Sequence, residues 1–360
     1  MPWPYVGSEL IAAFGVQPDA YTPVTPTLPM GIGPAPELSN NAGLEAHYSV
    51  GDYKPIYLKA GAQQSSGRLQ LQMLPWSAYL LQCGMRYPAG VTARAADTTT
   101  PGYANTDLPY LTIGVAAQQP PVTGPWRWSQ IFVGCKITDL SVNMQEKEAI
   151  TLSVGWQALY SRQMGLVSSD LYPAPSFVFN ALDGTVQSPI KWHESRFYVD
   201  SGDWSPHTQA FSWSVQNSIE AIYGGGPWKG IQPTDPAILG GAVVTVPDYR
   251  DRCPKILKET TQKVTFGWQT REILTSDTVT FLPDTRHVWP AQHTLAVQYW
   301  DQLAISQSPV TPNTVVNLYL QGAKFGDFVQ KGTGPSGTVV WSCPGEALTA
   351  QIQLSAIAPS

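Results

Sequence analysis

The chain has 360 residues, of which 13% are charged, and a formal net charge of −5 at pH 7. This length suffices for two or three domains, and the charged fraction is about half the roughly 25% that is usual for soluble domains. Because the few Lys and Arg residues are scattered, the composition disfavours a protein that holds DNA or RNA tightly. A surface so poor in charge is expected to be partly covered by partner proteins.

The cysteine and hydropathy patterns argue against two further classes. Four cysteines lie far apart, without a C-x-x-C pair, so neither a disulfide framework nor a zinc site is predicted and no cofactor is implied: Cys83, Cys135, Cys253 and Cys343. No apolar run approaches about 18 residues, and the N-terminus lacks an apolar signal core. We therefore expect a protein that has no signal peptide and does not insert into a membrane.

Prolines recur through the first residues, as in YTPVTPTLPMGIGPAPE. Because proline removes a backbone donor and pushes its predecessor into extended geometry, residues 1–38 are predicted to form an extended arm, with one short helix at 8–14. The apolar side chains of this arm predict contact with a neighbouring subunit: Tyr5, Tyr21, Leu28, Met30 and Ile32.

The next part of the chain has the alternation of strands. Strands are predicted at 44–50, 54–60, 67–73 and 109–116. The sequence PWSAYLLQCGM predicts a helix over 75–85, because proline can open a helix and glycine can end it. The proline-rich segment 86–128 is predicted to be a long loop over a partner, with Tyr110 and Trp126 as contacts.

The segment ITDLSVNMQEKEAITLSVGWQALYS, residues 137–161, alternates apolar and polar residues around a polar connector and predicts a β-hairpin. One face is apolar and predicted to be core: Leu140, Val142, Leu152, Val154 and Trp156. The other carries hydroxyls and amides and is predicted to be a wetted face: Ser141, Asn143, Gln145, Thr151, Ser153 and Gln157. An ordinary solvated outer face is the alternative, because alternation does not show what a face contacts.

The second half repeats this organisation. Strands are predicted at 176–180, 195–200, 209–216, 261–270, 278–282, 314–320, 337–342 and 348–357. Leu295, Tyr299 and Leu303 recur at helical spacing and predict a helix over 289–303. The glycine-rich segment that opens a long loop at 224–258 offers Trp228 as a further contact. SVGWQ at 153–157 returns as TFGWQ at 265–269, which indicates duplication and places Trp268 in the core.

Catalytic chemistry finds little support in the sequence. Glu194, Asp200 and Asp203 lie beside tryptophans, as in sugar-cleaving enzymes, but carboxylates in such a segment are mostly turn formers. No nucleophile motif and no metal-ligand spacing is present, so we expect no enzyme and no catalytic or metal residues. The alternative to a structural role is that the chain is a β-rich protein that binds carbohydrates or cleaves glycosides.

The hairpin and its approach, FVGCKITDLSVNMQEKEAITLSVGWQALYS, carry a family resemblance. The pattern G-C-x-[IV]-x-x-L-x-[LV]-x-[LMV], a polar turn and a second strand are similar to the tail tube proteins of bacteriophages with long, non-contractile tails (siphophages). SWSVQNSIE, residues 212–220, resembles another strand of that family. The motifs lie in consecutive halves, as in the two-repeat branch of the family, and the resemblance covers residues 130–280.

The resemblance implies a mainly β protein with two tandem tail-tube domains of the β-sandwich or barrel type, each with one flanking α-helix: 39–170 and 171–360. It implies a structural virion protein whose copies form stacked rings around a conduit for DNA delivery into the host cell. The wetted face of the hairpin is then a candidate lining of the lumen of that conduit. Two domains per chain imply a trimer with pseudo-six-fold symmetry. The implied partners are other copies, the tape-measure protein and the tail-terminator protein, with DNA only in transit. The implied location is the virion tail, assembled in the host cytoplasm.

Overall fold

The computed structural model describes most of the chain, and it is mainly β. The described residues are 10–26, 28–30, 37–41, 43–47, 57–73, 77–85, 107–117, 128–164, 189–200, 202–224, 237–239, 242–244, 249–271, 292–300, 314–326, 329–333 and 339–354.

The first half of the described chain contains strands β1 to β10 and helix α1. Their bounds are β1 (Leu10–Val16), β2 (Leu28–Pro29), β3 (Glu37–Asn41), β4 (Leu44–His47), β5 (Tyr57–Ala60), β6 (Gln64–Gln72), α1 (Ser77–Cys83), β7 (Leu111–Ala117), β8 (Trp128–Gln145), β9 (Thr151–Ala158) and β10 (Tyr160–Met164).

The second half contains strands β11 to β21. Their bounds are β11 (Ser195–Val199), β12 (Gly202–Asp203), β13 (Thr208–Ile222), β14 (Ala237–Leu239), β15 (Ala242–Val244), β16 (Ile256–Arg271), β17 (His293–Trp300), β18 (Thr314–Phe325), β19 (Val329–Thr333), β20 (Val339–Ala347) and β21 (Thr349–Leu354). The described residues of this half also form two 3₁₀ helices, at Trp192–Glu194 and Tyr249–Arg252.

Eight antiparallel strands form a central sheet that joins both halves of the sequence. Its order is β3, β6, β9, β8, β13, β16, β20 and β19. The halves meet at β8 and β13, which pair from Asp139 opposite Gln216 to Gln145 opposite Ala210. The predicted hairpin is therefore an inner part of a wider sheet, since β8 and β9 both have neighbours on each side.

Two flanking sheets continue from the central sheet. The first has the order β2, β1, β7, β8 and β10, and the second has the order β12, β11, β17, β18 and β21. β8 and β18 each leave a flanking sheet and enter the central one. Gly134 and Gly322 lie near these crossings with φ of 65° and 63°. Side chains disfavour such backbone geometry, so the two bends call for glycine.

The core lies between the central sheet and the flanking sheets. Phe132 meets Trp156 edge-on with ring centroids 5.8 Å apart, and Phe197 lies 4.7 Å from Phe211. One hydrophobic cluster contains residues from both halves, while the expected domain boundary at 170/171 lies outside the described residues. The residues predicted as core are all buried: Leu140, Val142, Leu152, Val154, Trp156 and Trp268.

The prediction of a short helix at 8–14 is wrong, because β1 occupies this part of the chain. β1 pairs along its whole length with β7, and Phe14 and Met30 are fully buried in the main core cluster. Apolar residues of the supposed arm are thus covered by the chain's own core. Met30 has no surface left for a neighbouring subunit, which corrects its assignment as an assembly contact.

The prediction of a helix at 289–303 is also wrong, because His293–Trp300 is strand β17. Leu295 and Tyr299 share a face in a helix and in a strand, but Val297 between them is also fully buried. β11 and β18 pair with β17 on its two sides. Within the described residues α1 is the only α-helix. The segment 293–300 therefore does not supply the flanking helix that was expected for the second half.

Asn217 fastens β13 to three other parts of the chain. Its Nδ2 donates to the carbonyl oxygens of Gly84 (2.9 Å) and Ile137 (3.0 Å), and its Oδ1 accepts a hydrogen bond from Gln262 Nε2 (2.7 Å). The side chain is buried, so the amide of the SWSVQNSIE motif joins the helix, β8 and β16 to β13. These contacts connect the two halves of the sequence.

We expect Asn217→Ala to lower the free energy of unfolding by about 2–3 kcal/mol, because it leaves buried carbonyl groups without their donor. Chemical denaturation measures this effect. The control is Gln216→Ala, whose exposed side chain is expected to contribute within about 0.5 kcal/mol. Equal stability of the two variants would show that the Asn217 contacts contribute nothing net.

Candidate functional site: the polar face of the central sheet

Residues of the central sheet alternate between the core and an accessible side that carries few apolar groups. We call this side the polar face, and it comprises Arg68, Gln70, Gln72, Asp139, Ser141, Asn143, Gln145, Thr151, Ser153, Gln157, Ser212, Ser214, Gln216, Lys263, Thr265 and Glu346. The strand register brings hydroxyls and amides from five neighbouring strands into rows across the sheet.

One such row shows how the register aligns these groups. Ser141 of β8 is opposite Ser153 of β9 on one side and Ser214 of β13 on the other. Ser214 in turn is opposite Thr265 of β16, and their hydroxyl oxygens are 2.7 Å apart. Cross-strand hydroxyl pairs of this kind stabilise a sheet without adding charge to its surface.

The six residues predicted for a lumen or wetted face lie on one side of the sheet but differ in exposure. Asn143, Gln145 and Thr151 are exposed, and Ser141 and Ser153 are half-buried. Gln157 has the same parity, but its side chain is only 7% exposed. The expectation that Gln157 is wetted like the others is therefore corrected for the isolated chain.

Several residues of the polar face were missed by the sequence analysis. Ser212, Ser214 and Gln216 alternate with buried Phe211, Trp213 and Val215 in the same way as the hairpin residues do. That alternation was a sufficient signal for a wetted face on β13. It did not reveal that β13 is the direct neighbour of β8, because strand pairing between distant segments leaves no local pattern.

The charged residues of the polar face occur in pairs of opposite sign. Arg68 Nη2 lies 2.7 Å from Asp139 Oδ2, and Lys263 Nζ lies 2.7 Å from Glu346 Oε1. The hydrogen bond to Asp139 raises the pKa of Arg68 above its ordinary value. Arg271 forms a third pair with Glu146 at the end of the sheet. These cations are therefore countered within the chain.

The remaining predicted assembly contacts fall into two groups. Tyr21 donates from its hydroxyl to the Lys255 carbonyl (2.7 Å), and Leu28 packs against the main core cluster. The Tyr110 ring lies 4.3 Å from Lys136 Nζ, and burial raises the pKa of Tyr110 to about 12. Both tyrosines thus make contacts within their own chain. Four others lie outside the described residues: Tyr5, Ile32, Trp126 and Trp228.

The acidic segment considered for sugar cleavage uses its carboxylates in local structure. Glu194 Oε2 accepts a hydrogen bond from the Lys191 backbone N–H (2.7 Å), and Asp203 Oδ1 accepts one from the Ser205 hydroxyl (2.6 Å). Asp200 Oδ1 accepts from the Thr294 backbone N–H at 2.9 Å. Each carboxylate stabilises a turn or a strand end.

Other kinds of site were sought in the described part of the chain. It contains no group of three or more His, Cys, Asp or Glu side chains that could hold a metal ion. The four cysteines are free and buried, and burial raises the pKa of Cys135 well above its ordinary value. Across the same residues, no helix has the length and apolar character needed to span a membrane.

Neither the protein-family models nor the curated proteins include a match to this chain.

Proposed function

We propose that this protein is a structural subunit of a bacteriophage tail tube, whose copies form stacked rings around a channel that conducts DNA. The observation that carries the proposal is the polar face. It spans several strands of one sheet and consists mostly of hydroxyls and amides, and three cations on it or at its end, Arg68, Lys263 and Arg271, pair with carboxylates. Such a surface is wetted but offers no unpaired cation from this set to a phosphate backbone.

Transit through a channel requires weak contact between the wall and the DNA. A wall with unpaired Lys and Arg would bind DNA in proportion to the phosphates it neutralises. The paired charges of the polar face avoid this while they keep the surface hydrated. On this proposal, Ser141, Asn143 and Thr151 line the lumen with their neighbours on β13 and β16.

The finer architecture is also part of the proposal. The two halves of the central sheet, each with its flanking sheet, are two tandem tail-tube repeats that share one continuous sheet. Three chains then supply six repeats to a ring with pseudo-six-fold symmetry. β3 and β19 end the central sheet in the described part of the chain, and such end strands are places where further copies can add.

The proposed partners follow from this assembly. They are other copies of the chain, a tape-measure protein within the tube and a tail-terminator protein at its end, with DNA in transit. The tube belongs to the virion tail and is assembled in the host cytoplasm.

The proposed role is structural, without catalysis or cofactor. The burial of Trp156, Trp213 and Trp268 supports it over sugar binding, which uses accessible aromatic platforms.

The first test is assembly. The purified protein, concentrated and viewed by negative-stain electron microscopy, is expected to form rings or tubes with a central channel. A protein that stays monomeric under all conditions of concentration and salt would contradict the proposal.

The second test removes the counter-charges of the polar face. We expect tubes of Asp139→Asn/Glu346→Gln to retain DNA at low salt far better than parent tubes, because the change frees Arg68 and Lys263 in every copy. Retention is measured by co-sedimentation of DNA with tubes across a salt series, in which binding falls steeply as salt rises.

The matched control has the same change in net charge on other parts of the chain. Asp19→Asn/Asp203→Asn removes two exposed carboxylates and keeps an acceptor for the hydrogen bonds of Thr22 and Ser205. We expect these tubes to bind DNA like the parent. Equal retention by both double variants would mean that the polar face does not line the channel.

A further inference from the structure

The two flanking sheets contain their strands in the same order. The first sheet has β2, β1, β7, β8 and β10, and the second has β12, β11, β17, β18 and β21. β8 and β18 each continue into the central sheet, where they pair with β9 and β20. β9 therefore corresponds to β20, and β6 to β16, so the SVGWQ and TFGWQ segments hold different places in the two halves.

A leucine lies at the equivalent turn in each half. Leu159 lies between β9 and β10, and Leu348 lies between β20 and β21. Each backbone N–H donates to the carbonyl oxygen just before a glycine of left-handed conformation, at 3.1 Å before Gly134 and at 3.0 Å before Gly322. Each leucine packs on that glycine, since an added Cβ would lie 2.6 or 2.7 Å from the leucine Cδ1. The glycines open the similar segments GCKI (134–137) and GAKF (322–325).

The two leucines differ in what covers them. Leu159 is 0% exposed, whereas Leu348 is 70% exposed. Leu159 belongs to a hydrophobic cluster that includes Leu257 of β16, with Ile219 and Ala221 of β13 packed against it. At these residues β13 and β16 pair only with each other and form a two-stranded ribbon. The pairing of β13 with β8 thus places a ribbon of the second half over the leucine of the first half.

A ribbon of similar sequence follows β3 in the first half. β3 pairs with β6 as β13 pairs with β16, and β4 and β5 form the ribbon between them. IEA at 219–221 corresponds to LEA at 44–46, and ILK at 256–258 corresponds to YLK at 57–59. The strand register corresponds as well: Glu220 is opposite Lys258 and Ala221 opposite Leu257, while Glu45 is opposite Lys59 and Ala46 opposite Leu58. Within the described sheets, β4 and β5 have no other strand partner.

We propose that the β4–β5 ribbon of one copy covers Leu348 of a neighbouring copy, as the β13–β16 ribbon covers Leu159 within the chain. Leu58 holds the register position of Leu257. A copy whose β3 joins the far end of a neighbour's central sheet carries its ribbon to that neighbour's β18 and β21, just as β13 carries its own ribbon to β8 and β10. The inference rests on the proposed assembly of copies and names two surfaces that meet in it.

The contact between copies is apolar. Within the chain, the ion pair of Lys136 with Glu259 also holds the ribbon, but Ala60 takes the register position of Glu259 in the β4–β5 ribbon. Lys324, which corresponds to Lys136, is exposed. Burial of Leu348 is therefore the main gain. The contact is heterologous, because the ribbon and the leucine are different parts of the same chain, so each surface can be disabled in a separate variant.

Leu348→Asp and Leu58→Lys each place a charge on one of the two surfaces. We expect each variant to weaken self-association by about 30-fold or more relative to the parent, as is typical for the loss of a central contact residue. Sedimentation velocity across a series of protein concentrations measures this effect. Leu348→Met and Leu58→Met, which keep an apolar side chain, are the matched controls and should associate like the parent. Ala46→Lys is a second ribbon variant and should behave like Leu58→Lys.

Mixing the two charged variants tests the pairing of the surfaces directly. The mixture contains one unaltered pair, namely the ribbon of Leu348→Asp and the leucine of Leu58→Lys, so we expect 1:1 association with about the parent's affinity. Recovery would also show that both variants are folded. Parent-like association of either variant alone, or a mixture that associates no more tightly than its components, would overturn the inference.

The parent protein separates this inference from the tube proposal. Rings of the parent that form equally well with Leu348→Asp or Leu58→Lys would refute only this contact. A parent that stays monomeric would contradict the tube proposal and this contact with it.

Discussion

Lys136→Met is expected to lower the free energy of unfolding by about 3–5 kcal/mol, because it leaves the Glu259 carboxylate buried without its counter-ion. Lys136 and Glu259 form an ion pair whose side chains are 6% and 3% exposed. The Leu108 backbone N–H also donates to Glu259 Oε1 (3.1 Å), and the Tyr110 ring covers Lys136. The pair therefore connects β8, β16 and the segment before β7.

A variant that lacks both charges distinguishes the net contribution of the ion pair to stability from the cost of leaving one buried charge without its counter-ion. We expect Lys136→Met/Glu259→Gln to recover most of the stability lost in Lys136→Met, since it removes the isolated buried charge and keeps an acceptor for the Leu108 N–H. The control is Lys263→Met, which breaks an ion pair that is 58% and 66% exposed and should cost less than about 1 kcal/mol. Chemical denaturation of the four proteins measures these values. A single variant as stable as the parent would show that water reaches Glu259.

Trp268→Ala is expected to lower the free energy of unfolding by about 3–5 kcal/mol, because the side chain is fully buried among aromatic rings. The ring centroids of Phe197, Trp204 and Phe325 lie 5.2, 5.6 and 5.9 Å from that of Trp268. The indole N–H donates to Thr208 Oγ1 at 3.0 Å. A smaller apolar side chain at this position cannot replace both the packing against these rings and the hydrogen bond to Thr208.

The corresponding residue of the SVGWQ segment is held differently. Trp156 packs on Phe132 and against Gly67, where an added Cβ would lie 2.2 Å from its ring, but its Nε1 has no hydrogen-bond partner in the described structure. Replacement by Phe removes this unpartnered N–H, so we expect Trp156→Phe to cost less than Trp268→Phe by about 1 kcal/mol. Thermal and chemical unfolding compare the two. The reverse order would mean that ring volume outweighs the hydrogen bond to Thr208.

The failed helix at 289–303 shows a limit of local periodicity. Leu295 and Tyr299 satisfy the helical and the extended pattern equally well, and only Val297 favours the strand. The helix at 75–85 was recognisable because proline and glycine mark its two ends, and the structure has α1 at Ser77–Cys83. Residues that begin or end a helix, such as proline and glycine, can be recognised from the local sequence. The choice between helical and extended periodicity, in contrast, depends on which strands pair with the segment.

The apolar and polar alternation of the chain by itself determined that the protein is mainly β and which residues of each strand share a face. It could do so because side chains on a strand point to opposite sides in turn. Only the tertiary structure decided that β8 pairs with β13, that Met30 enters the core, and that Gln157 is buried. These outcomes depend on contacts between residues far apart in the chain. Such contacts are selected by the packing free energy of the whole fold and not by neighbouring residues.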